Sequence, residues 1–198
     1  MKFSHEIDAD DPLKLFDRWM AEAQESEPND PNAAALATAT ANGKPRVRMV
    51  LAKRVGELRF CFFTNAGSEK GRNLAENPRA ALCFHWKTLR RQVRVEGSVL
   101  ELDATAVDAY FHSRSRASQI GASVSEQSRV LASREELEER FRRFAETHTG
   151  QIPRPEFWRG FHVDEERVEF WMDGADRLHD RFLFTRRDGG WERCRLFP

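Results

Sequence analysis

Between residues 33 and 102, turn signals cut the chain into apolar segments too short for helices, and this punctuation narrows the fold more than any other feature. "AAALATAT", the turn "ANGK" and "PRVRMVLAKR" read as a hairpin with Asn42-Gly43 as its turn. "ELRFCFFTN" and "RAALCFHW" are further strands, and "RRQVRVEGSVLEL" alternates cleanly between polar and apolar side chains. Near the C-terminus "RVEFWMD", "RFLFTRR" and "WERCRLF" add three more, the last two joined through Asp188-Gly189-Gly190. Strands that follow one another through short turns predict an antiparallel sheet closed into a barrel, with helices packed outside it. A doubly wound parallel sheet needs a helix between most strands, which this order of segments lacks.

The helices fall in two groups. "DDPLKLFDRWMAEAQES" is predicted helical from its Asp11 cap, Pro12 in the first turn, and a stripe of Leu13, Phe16, Trp19, Met20 and Ala23. "GSEKGRNLAEN" is a short helix ended by Asn77-Pro78. Beyond residue 103, "DATAVDAYFHSR" and "ASQIGASVSEQS" read as helices. "SREELEERFRRFAETH" is a third, with a Ser133/Glu136 capping box, a Leu137, Phe141, Phe144 stripe and Glu138/Arg142 and Glu139/Arg143 pairs. "IPRPEFW" is a proline-stiffened loop. The expectation is one domain over residues 11–198, including a helical region at about 104–148, behind a mobile N-terminal segment, residues 1–10.

The 198 residues include 32 Lys and Arg and 32 Asp and Glu, for a formal net charge of zero. That balance argues against a general nucleic-acid binder, whose phosphate contacts need a basic excess; the arginines are nevertheless clustered, which leaves local anion sites open. Cys61 and Cys83 sit inside apolar runs and no CxxC occurs, so buried thiols in a reducing cytosol are expected. The histidines show no HxH or HExxH spacing, so no metal site is expected. No apolar stretch approaches a membrane span and "MKFSHEIDADDP" lacks a signal-peptide core, which makes the expected location cytoplasmic.

Five constellations can carry chemistry. In "DGADRLHDRF", a strand would put Arg177, His179 and Arg181 on one face and demand something electron-rich against them. In "RVRMVLAK", Arg46 and Arg48 share a face while Lys53 has opposite parity, so either the strand bulges or the two ends serve neighbouring ligands. "FFTNAGSEKGRN" runs a strand into a helix start, where amides, Ser68 and Lys70 form a phosphate cradle or simply a capped helix. "AYFHSRSRASQIGASVSEQS" spaces Tyr110, Arg114 and Ser118 along one helical face, a set suited to a phosphate monoester or else a polar interhelical loop; Gln127 and Ser128 follow. On the strands, Gln92 either meets a heterocycle edge or faces water, and Trp171 either covers an aromatic ligand or packs at a subunit interface. The GxGxxG and P-loop patterns are absent.

Taken in order, "RMVLAK", "FFTNAGSEK", "RQVRVEG", "YFHSRSRASQIGASVSEQS", "FWRGF", "VEFW" and "RLHDRF…RLFP" closely resemble the pyridoxine/pyridoxamine 5'-phosphate oxidase family, in register from about Asp11 to Pro198. The resemblance implies a mainly β, antiparallel FMN-binding split β-barrel working as a homodimer with FMN between subunits. It implies oxidation of pyridoxine 5'-phosphate or pyridoxamine 5'-phosphate to pyridoxal 5'-phosphate, with hydride passing to the flavin and oxygen then yielding hydrogen peroxide. By position, Arg48, Ser68, Lys70, Gln127 and Ser128 correspond to the FMN-phosphate side. Met49, Val50, Leu51, Phe63 and Thr64 would line the flavin, with Gln92, Trp171 and Arg181 contacting it from their strands. Lys53, Tyr110, Arg114 and Ser118 resemble the substrate-phosphate cradle, so that Arg48 and Lys53 serve different phosphates. Arg177 and His179 resemble a catalytic pair beside the pyridine ring, which orients it and stabilises developing charge.

The chain departs from the family pattern at Glu69, usually basic, at Ser115 and Ser123, usually proline and tryptophan, and in "MKFSHEIDA", which lacks an arginine- and tyrosine-containing arm. Two other readings remain: a split-barrel flavin oxidase of the phenazine-pathway kind, which would not need the phosphate cradle, and a non-catalytic binder of FMN or pyridoxal 5'-phosphate.

Overall fold

The computed structural model describes residues 9–198; the expected mobile segment, up to residue 8, lies outside the described residues. Ala9 packs against the core and its carbonyl accepts from Arg193 at 3.2 Å, so the last part of that segment is held in place. The strands are β1 Ala33–Ala39, β2 Pro45–Leu51, β3 Lys53–Val55, β4 Leu58–Asn65, β5 Arg79–Trp86, β6 Arg91–Glu101, β7 Trp158–Met172, β8 Asp180–Arg187 and β9 Gly190–Leu196. The helices are α1 Pro12–Ser26, α2 Glu69–Glu76, α3 Ala104–Ser113, α4 Arg116–Val124 and α5 Arg134–Thr147.

The ladders between these strands are all antiparallel, in the order β2-β1-β5-β6-β7-β4-β3, with β8 added to β7 and β9 to β8. The two ends of that path, β2 and β3, are consecutive in sequence and separated by Ala52 alone. The sheet therefore curls until its ends approach, and with no ladder between β2 and β3 the barrel is split there. β7 starts earlier than the expected strand, because Trp158, Gly160 and His162 bury alternate positions before Arg167 is reached. Its length lets one edge serve two partners: residues 158–162 pair with β4 and residues 167–172 with β8.

Alternation decides what is inside. On β6, Val93 and Val95 are fully buried while Gln92, Arg94 and Glu96 face outward. α1 is capped by Asp11, whose carboxylate accepts from Leu13 N at 2.8 Å, and seals the barrel interior with Leu15, Phe16, Trp19 and Ala23. Phe16 meets Phe60 edge-on at 4.8 Å and Trp19 meets Phe170 at 5.0 Å. Each large apolar side chain so buried contributes about 1.5–3 kcal/mol. The expected Leu13 and Met20 lie at the rim of this core, and Leu15 takes the central place.

A second cluster joins Cys61, Leu102, Val107, Phe111, Ile120, Ile152 and Trp158, and so fixes α3 and α4 against β4 and β7. Burial pushes the Cys61 thiol up to about 12, as befits an inert core residue; Cys83 is half-buried and Cys194 exposed. On α5 the Glu139/Arg143 pair forms at 2.6 Å, but the expected Glu138/Arg142 pair does not. Arg134, one turn earlier, captures Glu138 at 2.8 Å, and Arg142 turns to Glu139.

Candidate active site

A cavity of about 710 Å³ opens where β2, β4, α3 and α4 meet. Of the residues expected at a site, Met49, Val50, Leu51, Phe63, Thr64, Lys70, Tyr110, Arg114, Ser118 and Gln127 line it. Asn65, Ser115, Gly121, Ala122, Ser125 and Trp158 line it as well and are not among the expected site residues.

The parity conflict between Arg48 and Lys53 disappears at Ala52. This residue is buried, donates its N–H to Asn32 O at 2.9 Å, and accepts from Asn32 Nδ2 at 2.8 Å. β2 pairs with β1 and β3 with β4, so the expected continuous strand 45–54 is two strands and alternation does not run across the break. Lys53 Nζ lies 6.0 Å from the Tyr110 ring centre.

Arg48 and Lys70 stand near the start of α2. Ser68 caps this helix by accepting from Gly71 N at 3.3 Å, and Ser128 Oγ accepts from Glu69 N at 3.2 Å. Lys70 Nζ donates to Thr64 Oγ1 at 3.2 Å and to Gln127 Oε1 at 2.9 Å. Arg48 donates to Thr38 Oγ1 at 2.8 Å and to Leu36 O at 3.2 Å. The carboxylate facing this group is Glu69, bound by Arg46 at 2.8 Å and 3.7 Å from Arg48. Burial lowers the pKa of both Lys70 and Arg48; Arg48 lowers Lys70 further, and Glu69 opposes both shifts. Cations desolvated against mostly neutral partners, at a helix start, fit a phosphate monoester such as that of FMN.

The third constellation is not one helical face. α3 ends at Ser113, Arg114 is extended (φ −74°, ψ 154°), and Ser115 restarts the chain as the cap of α4 by accepting from Ser118 N at 3.2 Å. The break still leaves Tyr110, Arg114 and Ser118 on the same cavity wall. Among the described residues, Arg114 Nη1 is the single buried side-chain nitrogen or oxygen without a hydrogen-bond partner. Burial lowers its pKa, with Tyr110 as the small opposing influence. The guanidinium carbon lies 5.1 Å from the Trp158 ring centre. Phe63 stacks on Tyr110 at 4.0 Å and on Trp158 at 5.2 Å. Gly160, paired with Phe63 across the β4–β7 ladder, makes room for this stack, since a Cβ there would stand 2.8 Å from the Phe63 ring. Trp158 was visible in sequence only as part of "FWRGF", where its shared parity with Gly160 was the available signal.

Gln92, Trp171, Arg177, His179 and Arg181 do not line the cavity, and Arg48, Lys53, Ser68 and Ser128 stand beside it without lining it. The first two and Arg181 form one row across β6, β7 and β8, because Gln92 pairs with Trp171 and Trp171 with Arg181. Residues 173–179 are not the strand considered above: Asp176 and Arg177 take φ of 55° and 63° in a 3-10 turn, and β8 begins only at Asp180. Gly174 permits the turn, since a Cβ there would lie 2.0 Å from Leu178 O. Arg177 is therefore exposed at the turn and does not share a strand face with His179 and Arg181. Within the chain, Arg181 Nε donates to Glu169 at 2.9 Å, and His179 Nδ1 accepts from Gly174 N at 3.2 Å and lies 3.1 Å from Asp173. The His179 ring sits 4.7 Å from Trp171.

Among the described residues, no group of three or more His, Cys, Asp or Glu is arranged to hold a metal, and no helix is long and apolar enough to cross a membrane.

Residues 20–148 match the family described as pyridoxamine 5'-phosphate oxidase, and residues 158–198 match the pyridoxine 5'-phosphate oxidase C-terminal dimerisation region. The chain is 56% identical to the pyridoxine/pyridoxamine 5'-phosphate oxidase of Sphingopyxis alaskensis over 96% of its own length and 88% of that protein. It is 53% identical to the protein of the same name from Gluconobacter oxydans, covering 95% and 94%. Among solved structures it resembles PhzG from Burkholderia lata, solved with tetrahydrophenazine-1-carboxylic acid, at a TM-score of 0.92 and 28% identity over 100% and 98% of the two chains. A pyridoxamine 5'-phosphate oxidase-related, FMN-binding protein from Nostoc punctiforme shares the fold, with a TM-score of 0.75 at 18% identity over 91% and 96%.

Proposed function

The chain belongs to the pyridoxamine 5'-phosphate oxidase family, and on that premise we propose that it oxidises pyridoxine 5'-phosphate or pyridoxamine 5'-phosphate to pyridoxal 5'-phosphate, with FMN as cofactor and oxygen as acceptor. The observation that carries this reading is one cavity lined by two separate cations, Lys70 and Arg114, with Arg48 beside the first at the start of α2 and Lys53 Nζ 6.0 Å from the Tyr110 ring on the side of the second.

FMN, when bound, supplies the hydride-accepting and oxygen-reducing chemistry. The chain's own part is placement. Arg48, Lys70, Gln127 and the capped start of α2 with Ser68 and Ser128 hold the cofactor phosphate, while Met49, Val50, Leu51, Phe63 and Thr64 line its ring system. Lys53, Tyr110, Arg114 and Ser118 hold the substrate phosphate, and the Phe63–Tyr110–Trp158 stack keeps water from that wall. Arg177 and His179 orient the pyridine ring and stabilise charge that develops on it, with Asp173 steadying the imidazole; Gln92, Trp171 and Arg181 complete the flavin side.

The last five residues reach the same ligand from a second copy of the chain. Trp158 and Trp171 are 13 residues apart on β7, roughly 40 Å of strand, too far for one cavity. The exposed apolar side chains Val47, Met49 and Leu51 on β2, and Phe197 near the C-terminus, support a homodimer with FMN at the subunit interface. Residues 11–198 then act as one unit, in the cytoplasm. The phenazine-type alternative would leave the Lys53–Arg114–Ser118 wall without a phosphate to bind.

Anaerobic titration of the FMN-loaded protein with pyridoxine 5'-phosphate tests this reading. Bleaching of the visible flavin band, recovery in air and formation of pyridoxal 5'-phosphate are expected. A band that stays unchanged while phosphate still binds would leave a binder and refute the oxidase.

A further inference from the structure

We propose that Trp158 is a positioning residue for the substrate phosphate: its indole holds the Arg114 guanidinium at the cavity wall and acts on the phosphate through it. The inference rests on the function proposed above and names a residue that the motif reading leaves without a role.

A partly buried arginine in this chain is ordinarily fixed by oxygen. Arg154 is held by Asp108 at 2.5 Å and by Trp158 O at 2.8 Å, and Arg181 by Glu169 and Phe197 O. Among the described residues Arg114 has no such partner, and its Nη1 is buried without one. What lies against it is the Trp158 ring, 5.1 Å away and only 5% exposed. That ring is itself clamped by Phe63, nearly parallel at 12°, and by Phe111, edge-on at 5.1 Å.

The choice of partner has a chemical consequence. A carboxylate would orient the guanidinium but also neutralise it, and an incoming phosphate would have to displace that carboxylate. An indole face attracts the cation through its quadrupole and carries no net charge. Arg114 is thereby held in direction while its charge stays uncancelled and available for the phosphate. Trp158 acts through Arg114, so its loss should appear in phosphate affinity and not in the chemical step.

The test uses the FMN-loaded protein with Trp158→Leu and Trp158→Phe. Steady-state kinetics with pyridoxine 5'-phosphate are combined with calorimetric titration of inorganic phosphate, which reads the site whether or not turnover occurs. Trp158→Leu is expected to raise KM about tenfold and weaken inorganic phosphate in proportion, with kcat within about twofold. Trp158→Phe, which keeps a ring, is expected to recover most of the loss. In an Arg114→Ala background Trp158→Leu should add nothing further, because the two act as one unit. Should the leucine variant fail to load FMN, Trp158→His replaces it, with an expected loss of about threefold. Unchanged phosphate affinity, equal loss in the phenylalanine variant, or additivity with Arg114→Ala would each overturn the assignment. A wild type that binds phosphate through Arg114 and Trp158 but leaves the flavin oxidised would refute the oxidase and leave this inference standing.

Discussion

Around the cavity, Lys70 leans on a hydroxyl and an amide, and Arg114 on an aromatic ring, whereas at the far end of β7 Arg181 and His179 lean on Glu169 and Asp173. Both groups are half-buried, yet of these four side chains only Lys70 and Arg114 make no ion pair with a carboxylate among the described residues. The chain has as many acidic as basic side chains, and most of the described arginines pair with a carboxylate, several of them shared. The difference teaches that an anion site is located by where charge goes unpaired, and that arginine density alone is a poor guide. Arg181, neutralised by Glu169, can orient a ligand and shape its potential; Lys70 and Arg114 are the cations able to hold a phosphate.

Removing a cavity cation should break the comparison most visibly. Lys70→Met is expected to weaken FMN binding to the apoprotein by about ten- to hundredfold, since a charge-assisted contact contributes about 1.5–3 kcal/mol. Riboflavin, which lacks the phosphate, should bind as before in the same fluorescence titration, and equal losses for both flavins would show that Lys70 does not serve the phosphate. Arg114→Ala should raise the KM for pyridoxine 5'-phosphate by a similar factor, from about 1.5–3 kcal/mol, and leave FMN affinity alone; loss of FMN instead would mean that the two phosphates have been exchanged.

At the other group the same surgery should act on stability. Glu169→Gln leaves Arg94 and Arg181 without their shared carboxylate; with solvent reaching both guanidinium groups, about 1–2 kcal/mol is expected, seen as a drop of about 2–6 °C in thermal melting. The FMN-over-riboflavin preference should not move. A subtler effect comes from pH. Lys70 must be cationic to hold phosphate, and burial lowers its pKa. The FMN-over-riboflavin preference should therefore fall as pH rises, beginning below the range in which an exposed lysine titrates. Preference that persists until ordinary lysine deprotonation would mean that the pocket is wetter than its geometry implies. The smallest change belongs to Glu69, an exposed carboxylate that Arg46 holds below its usual pKa. Glu69→Gln should tighten FMN by about two- to threefold, and a loss of affinity would make Glu69 a helper of the cations and not their competitor.

Local rules reached the helices and strands because caps, turns and alternation are local: Asp11, Asn42-Gly43 and the Val93/Val95 alternation all hold. They failed where tertiary partners overrule periodicity. Ala52 breaks a strand because β2 and β3 belong to opposite ends of the sheet path, which no parity count can know. Ser115 breaks a helical face by capping the next helix, and Gly174 folds the chain so tightly that Arg177 leaves the strand. At the site, the motif reading named both groups of residues. It could not separate them, since the distance along β7 appears only when that strand is seen to begin at Trp158.

The ladder between β4 and β7 also sets a timetable. The β1–β2 hairpin closes a loop of a few residues, but Phe63 and Gly160 are 97 positions apart, and such a contact forms only after the chain between them has been gathered in. The Phe63–Tyr110–Trp158 stack straddles that late seam. A partly folded chain can therefore hold most of its hairpins and still have no phosphate wall. Quenching or shift of the Trp158 emission during refolding should coincide with the first appearance of ligand binding, which makes competence one of the last properties the chain acquires.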